Sequence, residues 1–481
     1  MHTVDSSTLG SDVEGVEYGD EVVKVEPYGI ERIPDSERHG NVRSQFTVYC
    51  AGNLTLGTLT TGFFPVFYGL SLAQALSAAF VGTLAGALVM GLLSSMGARL
   101  GVAQQVMGRG PLGFYANYIP VAIVSLFASV GWAAVTSVFG AWALQGVIDI
   151  PFWIAALLIA AAYLTIGFFG YNMVHFINRW ISVVAGVLFV VITIIALGKA
   201  DGSFGVNVEA PYYIGETGGW ITSAGLFFGY LLTWTPVASD YSRYLPASTP
   251  PRKVVLWTAL GNFVPMVWLG FLGILVAHFA GELEPIQALK ELTGGFSTVT
   301  LLVVVLAAIP ACSLSTYGGS LSLLSLGVPT SRTAAALLIS ATAYVAALLL
   351  HSDLYGTFYD FVVVSAYLIG PYMTVIALDY VFFRMRDPGR AREYYDRSRV
   401  VEWGFIAWVA GCAASVPFWV WTRYTGPIAA AHPDWGDLSY YVGAAVSAIV
   451  FLLLIRLRPL SSLLGRVETV PAPEPQLETT T

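Results

Sequence analysis

Three stretches of this 481-residue chain carry groups able to meet a solute in apolar surroundings. The first reads Cys50-Ala51-Gly52-Asn53-Leu54-Thr55-Leu56-Gly57 and continues through Thr58, Thr60, Thr61, Gly62 and Pro65. The second reads Gly225-Leu226-Phe227-Phe228-Gly229-Tyr230 and runs through Thr233 to Thr235-Pro236. The third holds Pro310, Ser313, Ser315, Thr316, Tyr317, Gly318, Gly319, Ser320 and Ser322. Glycine and proline interrupt helices, and an unwound turn presents free N–H and C=O groups to a ligand. Several converging hydroxyl and carbonyl oxygens satisfy a hard cation without any carboxylate. Trp132 follows Gly131, and Tyr230 follows Gly229, so each ring has room for a flat solute to lie against it.

Each feature also has an ordinary reading. Glycines permit close helix packing, as the GxxxG spacing of Gly82 and Gly86 suggests. Serine and threonine can bond back to their own helix, and most membrane Trp and Tyr are interfacial anchors. Asn53 and the threonines accompany the glycines of the first stretch, which favours a functional break there. Trp132 lies too deep in its apolar run to be an anchor. Enzymatic chemistry finds little support: His175, His278 and His351 are scattered near the ends of apolar runs, and no HExxH pairing occurs. Cys50, Cys312 and Cys412 all fall in apolar segments and read as packing residues. No cofactor is expected.

The elements that must position these groups follow from composition. The chain is 56% hydrophobic and only 11% charged, with a mean hydropathy of +0.69. Apolar runs of a length that crosses about 30 Å of hydrocarbon as helix recur twelve times. They cover roughly residues 45–70, 72–97, 118–147, 152–172, 177–198, 219–238, 254–280, 298–326, 333–350, 358–383, 403–423 and 439–457. The expected class is all-α integral membrane, with residues 1–44 an N-terminal tail, 45–457 the membrane domain and 458–481 a Pro-rich, disordered tail. No signal-peptide pattern precedes the first run. With both termini cytoplasmic, 20 of the 23 basic residues fall on the inner side, leaving Lys199, Lys290 and Arg423 outside. The plasma (inner) membrane is the expected location. The arginines from Arg384 to Arg399 then read as a positive-inside loop and not as a nucleic-acid site.

Runs one and six carry matching Gly/Pro interruptions, the pattern of inverted-repeat carriers. No Lys or Arg lies at mid-depth, and Asp240, Asp360 and Asp379 lie toward run ends, so a neutral solute fits best. Asp240 and Arg43, at the cytoplasmic ends of the two interrupted runs, are expected to pair as a gate when the carrier faces outward. For a coupling cation, Ser315 and Thr316 would face the run-one carbonyls around Gly52, a sodium-like set, while Asp240 is the nearest carrier for a proton. Sodium and proton both stay open.

Taken in order along residues 28–457, several segments resemble the nucleobase:cation symporter family, specifically its purine-cytosine permease branch. They are Gly29-Ile30-Glu31-Arg32-Ile33-Pro34, Gly52-Asn53 to Pro65, Gly101-Val102 through Gly113-Phe114-Tyr115-Ala116-Asn117, Gly131-Trp132, and Gly229 to Trp234 ending in Asp240-Tyr241-Ser242-Arg243-Tyr244. The resemblance implies a leucine-transporter-like inverted repeat of five plus five helices with two added at the C-terminus, and cation symport of a nucleobase. It also implies that Trp132 and Tyr230 sandwich the base while Asn53, Ser320 and Ser322 bond its edge. Thr136 occupies the position where some members carry an amide, so the solute stays open among cytosine, a purine, and another neutral heterocycle such as allantoin, a hydantoin or a vitamin.

Overall fold

Long apolar stretches leave the backbone little to bond except itself, and the chain accordingly folds into helices. The structure is a computed structural model, and it describes residues 17–199, 205–281, 283–385, 387–457 and 460. The principal helices are α1 (Ser44–Asn53), α2 (Leu56–Thr61), α3 (Leu72–Leu100), α4 (Phe127–Gln145), α5 (Phe152–Phe169), α6 (Tyr171–Lys199) and α7 (Glu216–Leu232). They continue with α8 (Pro251–Ala280), α9 (Pro285–Thr293), α10 (Ser297–Ser325), α11 (Arg332–Leu350), α12 (Leu354–Asp379), α13 (Trp403–Ser415) and α14 (Ser439–Leu454). Among the described residues the strands are β1 (Val420–Trp421) and β2 (Tyr424–Thr425), paired antiparallel with Val420 opposite Thr425.

Local chemistry sets the boundaries. Ser71 and Gln74 form a capping box ahead of α3, which ends at Gly101 in the left-handed region, φ 70°. Ser331 caps α11 by accepting from the Ala334 amide. Eight helical runs among the described residues are long and apolar enough to cross a membrane. The other four expected spans are the broken α1–α2 segment, α7, and the shorter apolar helices α13 and α14, so length alone does not establish twelve. The C-terminal tail, Leu460 excepted, lies outside the described residues.

The packing is that of a bundle whose outer surface is greasy. On α6 the buried positions Val174, Asn178, Ser182, Ala185, Phe189 and Ile192 recur at helical spacing, while Phe176, Trp180, Val183, Val187 and Ile194 face outward. α3 lies between α7 and α8, α10 lies along α4, and α1 is held between α6 and α8. Small residues make these contacts possible. A Cβ at Gly82 would lie 2.1 Å from the Ala224 carbonyl oxygen of α7, and one at Gly62 would lie 2.2 Å from that of Gly270 on α8. The GxxxG of α3 is thus a packing surface.

Residues 17–43 do not trail away from the helices. Their backbone bonds to the ends of several of them, with Glu26 N–H donating to Phe169 O at 3.0 Å, Ile33 to Gly101 O at 2.8 Å and Gly40 to Tyr244 O at 2.9 Å.

Candidate functional site

The two interrupted runs break where their polar residues fall. α1 stops at Asn53, Leu54 turns to φ −78°, ψ 60°, and Thr55 is extended. Thr55 Oγ1 then accepts from the Thr58 amide at 3.3 Å and starts α2. The last carbonyls of α1 and first amides of α2 consequently lack helical partners. α7 stops at Leu232 and resumes as a single tight turn, Thr235–Val237, because Pro236 has no N–H to donate. The breaks meet at Tyr230, whose Oη hydrogen-bonds Thr58 Oγ1 at 2.9 Å and Thr55 Oγ1 at 3.4 Å.

Around this junction lies an aromatic cluster. Trp132 Nε1 donates to Thr233 Oγ1 at 2.8 Å, and Thr233 donates to the Tyr230 carbonyl at 2.6 Å. The Trp132 ring stacks on Trp234, with centroids 5.5 Å apart and planes 25° from parallel. Tyr230 meets it edge-on at 4.8 Å and 67°, and Phe358 and Phe361 close the other edges. Two rings with a third between them stand about 7 Å apart, since aromatic faces touch at about 3.5 Å. Trp132 and Trp234 therefore touch, and the parallel face opposite Trp132 belongs to Trp234, with Tyr230 at the edge. Trp234 Nε1 is buried without a hydrogen-bond partner. Its position four residues after Tyr230 was visible in the sequence, but its orientation depends on the break between them.

The other expected contacts distribute as follows. Asn53 Nδ2 donates to Tyr49 O at 2.9 Å and to Asn262 Oδ1 at 3.0 Å, leaving Oδ1 unpaired. Thr136 is buried on α4 one turn beyond Trp132. Gly229 faces away, toward Tyr440 of α14 and Ala366 of α12. Ser320 and Ser322 bond back to Tyr317 O and Gly318 O, and Ser315 to Ala311 O. Thr316 turns toward Ser340 of α11 at 3.4 Å, and it is Leu314 that stands against Gly52. Consecutive helix residues differ by about 100° in direction, so with Leu314 facing α1, Ser315 and Thr316 point about 100° and about 200° away from that line.

The Asp240–Arg43 contact is not formed in this structure. Asp240 is fully buried, accepting from the Gln104 amide at 2.9 Å and Gln105 Nε2 at 2.8 Å, whereas Arg43 is exposed. The ion pair at this end joins Arg243 to Glu26 at 2.6 Å, both side chains fully buried. Glu26 also accepts from Tyr244 Oη at 2.7 Å, Tyr317 Oη at 3.0 Å and the Tyr171 amide at 3.0 Å, and Arg332 lies 3.8 Å away. One carboxylate of the N-terminal segment thereby ties together the start of α6, the segment after α7, the interior of α10 and the start of α11. Composition pointed to an acidic tail and could not single Glu26 out.

Over residues 32–443 the chain matches the family described as permease for cytosine/purines, uracil, thiamine, allantoin. The chain belongs to this permease family. It is 27% identical to a putative purine-cytosine permease of Bacillus subtilis, over 91% of this chain and 97% of the relative. It is 25% identical to a purine-cytosine permease of Emericella nidulans, over 90% and 88%. Among solved structures it is similar to Mhp1, a nucleobase-cation-symport-1 family transporter in a closed conformation with bromovinylhydantoin bound, with a TM-score of 0.73 and 17% identity, covering 90% of this chain and 95% of that one. The permease is thus a multi-pass membrane protein with the Mhp1 fold, and a transporter in place of an enzyme.

Proposed function

We propose that this permease imports a nucleobase, cytosine or a purine, by cation symport with alternating access, across the plasma membrane and with both termini cytoplasmic. The observation that carries the reading is the stacked Trp132–Trp234 pair, edged by Tyr230, at the meeting point of the two broken helices. A flat neutral ring separates such a pair at little cost, trading one aromatic contact for two. The unpaired Trp234 Nε1 and Asn53 Oδ1 supply a donor and an acceptor for its edge, the complement that a nucleobase requires. Thr136, Ser320 and Ser322 line the neighbouring helices and tune the choice of base. The purine-cytosine permeases among the relatives support the same solute class. The coupling cation is sodium or a proton. Ser315 can offer an oxygen to sodium near Gly52 only by leaving its bond to Ala311.

Closure on the cytoplasmic side belongs in this reading to Glu26 and Arg243 in place of Asp240 and Arg43. The test is uptake of radiolabelled cytosine and adenine into cells expressing the chain, competed by uracil, guanine, allantoin and a hydantoin. Saturable uptake inhibited by cytosine or purines is expected. Strongest inhibition by allantoin or the hydantoin would move the assignment to another neutral heterocycle, and no saturable uptake of any of them would reject it.

A further inference from the structure

The first turns of α12 stand between the aromatic cluster and the β1–β2 hairpin that joins α13 to α14. Phe358 and Phe361 lie against the Trp132 ring, with centroids 6.1 and 5.4 Å away. The two residues between them, Tyr359 and Asp360, are turned about 100° and about 200° around the helix from Phe358, toward the other side of the same turn. There they meet the hairpin. Asp360 accepts from the Thr422 amide at 3.0 Å and from Thr422 Oγ1 at 2.5 Å. Tyr359 Oη donates to Val420 O at 3.5 Å and meets Tyr68 Oη, at the far end of run one, at 3.3 Å. With both termini cytoplasmic, as proposed above, this is the outer side.

The hairpin has a firm base and a weak tip. At the base, the Gly426 amide donates to Trp419 O at 2.8 Å, and Trp419 Nε1 donates to Ser415 Oγ of α13 at 2.9 Å. The Trp419 ring also stacks on Tyr367, deep in α12, with centroids 5.3 Å apart. α13 is pressed onto α14, where a Cβ at Gly411 would lie 2.0 Å from Ser447 Oγ. After the hairpin, the Asp437 amide donates to Thr222 Oγ1 of α7 at 3.0 Å. At the tip, Thr422 and Arg423 are exposed, so water competes for both bonds to Asp360. The tie at the opposite end of the molecule is the fully buried pair Glu26–Arg243. Of the two, the outer one parts more easily.

We propose that Asp360 and Thr422 are positioning residues that latch the outer side of the site: their contact holds Phe358 and Phe361 over Trp132, and its parting admits the solute. The inference rests on the transport reading above and deepens it by assigning residues to the outer closure. Trp132, Tyr230, Trp234, Phe358 and Phe361 are each at most 7% exposed, so a solute reaches the cluster only when one of its covers is displaced. The covers on α12 are the ones whose helix turn is tied through an exposed contact. The Trp419–Tyr367 stack stays in place and keeps the hairpin within reach of Asp360, so the contact re-forms once the solute is in. The last two helices, which lie outside the expected five-plus-five repeat, thereby acquire a task in the cycle as the post that carries the latch.

The test uses the full chain in cells, with Cys50, Cys312 and Cys412 replaced by alanine. Asp360→Cys combined with Thr422→Cys puts two thiols where the bonded oxygens stand, and copper phenanthroline joins them. Uptake of the base that the permease carries best is expected to stop on crosslinking and to return with dithiothreitol. Each single variant, oxidised in the same way, is expected to keep the uptake it shows when reduced. Equal uptake by the crosslinked and the reduced pair, or failure of the pair to crosslink, overturns the latch. A second measurement does not need transport. Thr136→Cys, one turn beyond Trp132, reports entry of a membrane-impermeant thiol reagent added outside. Labelling should rise about 2- to 10-fold when Asp360→Ala is added, the size of a net hydrogen bond, and stay unchanged with Thr422→Ser, which keeps the hydroxyl. A merely structural joint would lower the amount of folded permease and leave labelling per folded molecule unchanged, and that result overturns the positioning role. If labelling changes as expected while no base is taken up, the latch stands and the transport reading falls.

Discussion

At the scale of single residues, the proposed site turns on Trp132, which is stacked on Trp234 and held by Thr233. Trp132→Ala is expected to abolish saturable uptake at unchanged membrane abundance, because base-on-aromatic stacking contributes about 1–3 kcal/mol, roughly 10- to 100-fold in affinity. Thr233→Val removes only the bond that sets the indole's orientation, so KM should rise about 2- to 10-fold, the size of a net hydrogen bond of about 0.5–1.5 kcal/mol. Initial-rate uptake in matched membranes measures both, and normal kinetics in the Trp132 variant would remove the stacking model. Trp132 was legible because a tryptophan deep inside an apolar run has no interfacial role. Its partner was not, because the sequence leaves open whether Tyr230 or Trp234 turns inward after a helix break.

A second residue-scale prediction concerns Asp437, which precedes α14 and accepts from the Ser439 amide and Tyr367 Oη. Burial pushes its carboxyl from 3.8 up to about 6. Here the native state binds the proton more tightly than the unfolded chain, so this group's contribution favours the fold below pH 3.8 and is lost as pH rises from about 4 to 6. Asp437→Asn should therefore raise the melting temperature in detergent at pH 7 relative to wild type, and the difference should shrink toward pH 4. An equal difference at both pH values would contradict this assignment.

At the scale of elements, tight helix crossings decide whether the bundle assembles. Gly82→Val places atoms where the Ala224 carbonyl of α7 already lies, and overpacking of this kind costs about 1–3 kcal/mol or more. Loss of the monodisperse peak in detergent chromatography and a lowered melting temperature are expected. Gly198→Ala, on α6 with nothing within 4 Å of the added carbon, is the control and should be neutral or stabilising by up to about 1 kcal/mol. If the two variants behave alike, close packing is not what Gly82 provides. The spacing of Gly82 and Gly86 already marked a packing surface, whereas α7 as the occupant required the fold.

For the whole molecule, the issue is how one end is shut. Glu26 reaches from the N-terminal segment to Arg243, Tyr244, Tyr317 and Tyr171, groups up to 291 positions away in the chain. Removing one partner of a buried ion pair costs about 3–5 kcal/mol, because the other charge stays buried alone. Glu26→Gln should accordingly loosen residues 17–43, with faster amide exchange at Glu26 and Ile33, whose N–H groups bond Phe169 O and Gly101 O. Hydrogen-exchange mass spectrometry reads this directly, and unchanged protection would mean that the segment is held by its backbone alone. Arg243→Glu combined with Glu26→Arg should restore part of the protection lost in either single reversal.

Composition and hydropathy alone determined that the chain is an all-helical membrane protein, because backbone groups in hydrocarbon must bond within their own helix. The glycines and prolines of runs one and six likewise marked the breaks, and Gly131-Trp132 marked a buried ring of the aromatic cluster beside them, since these are local properties of the chain. Which side chains meet was decided only by the tertiary structure. Ser315, Ser320 and Ser322 bond their own helix, Thr316 turns to α11, and Asp240 is taken by Gln104 and Gln105. His175 looked peripheral at the end of an apolar run and proves enclosed beside Tyr171 and Tyr241. The partner of Arg243 stands 217 positions earlier in an acidic segment that reads as a solvated tail. A hydroxyl or a charge has many equally good partners along a chain, and only the docking of distant helices, fixed by close packing at a few glycines, selects among them.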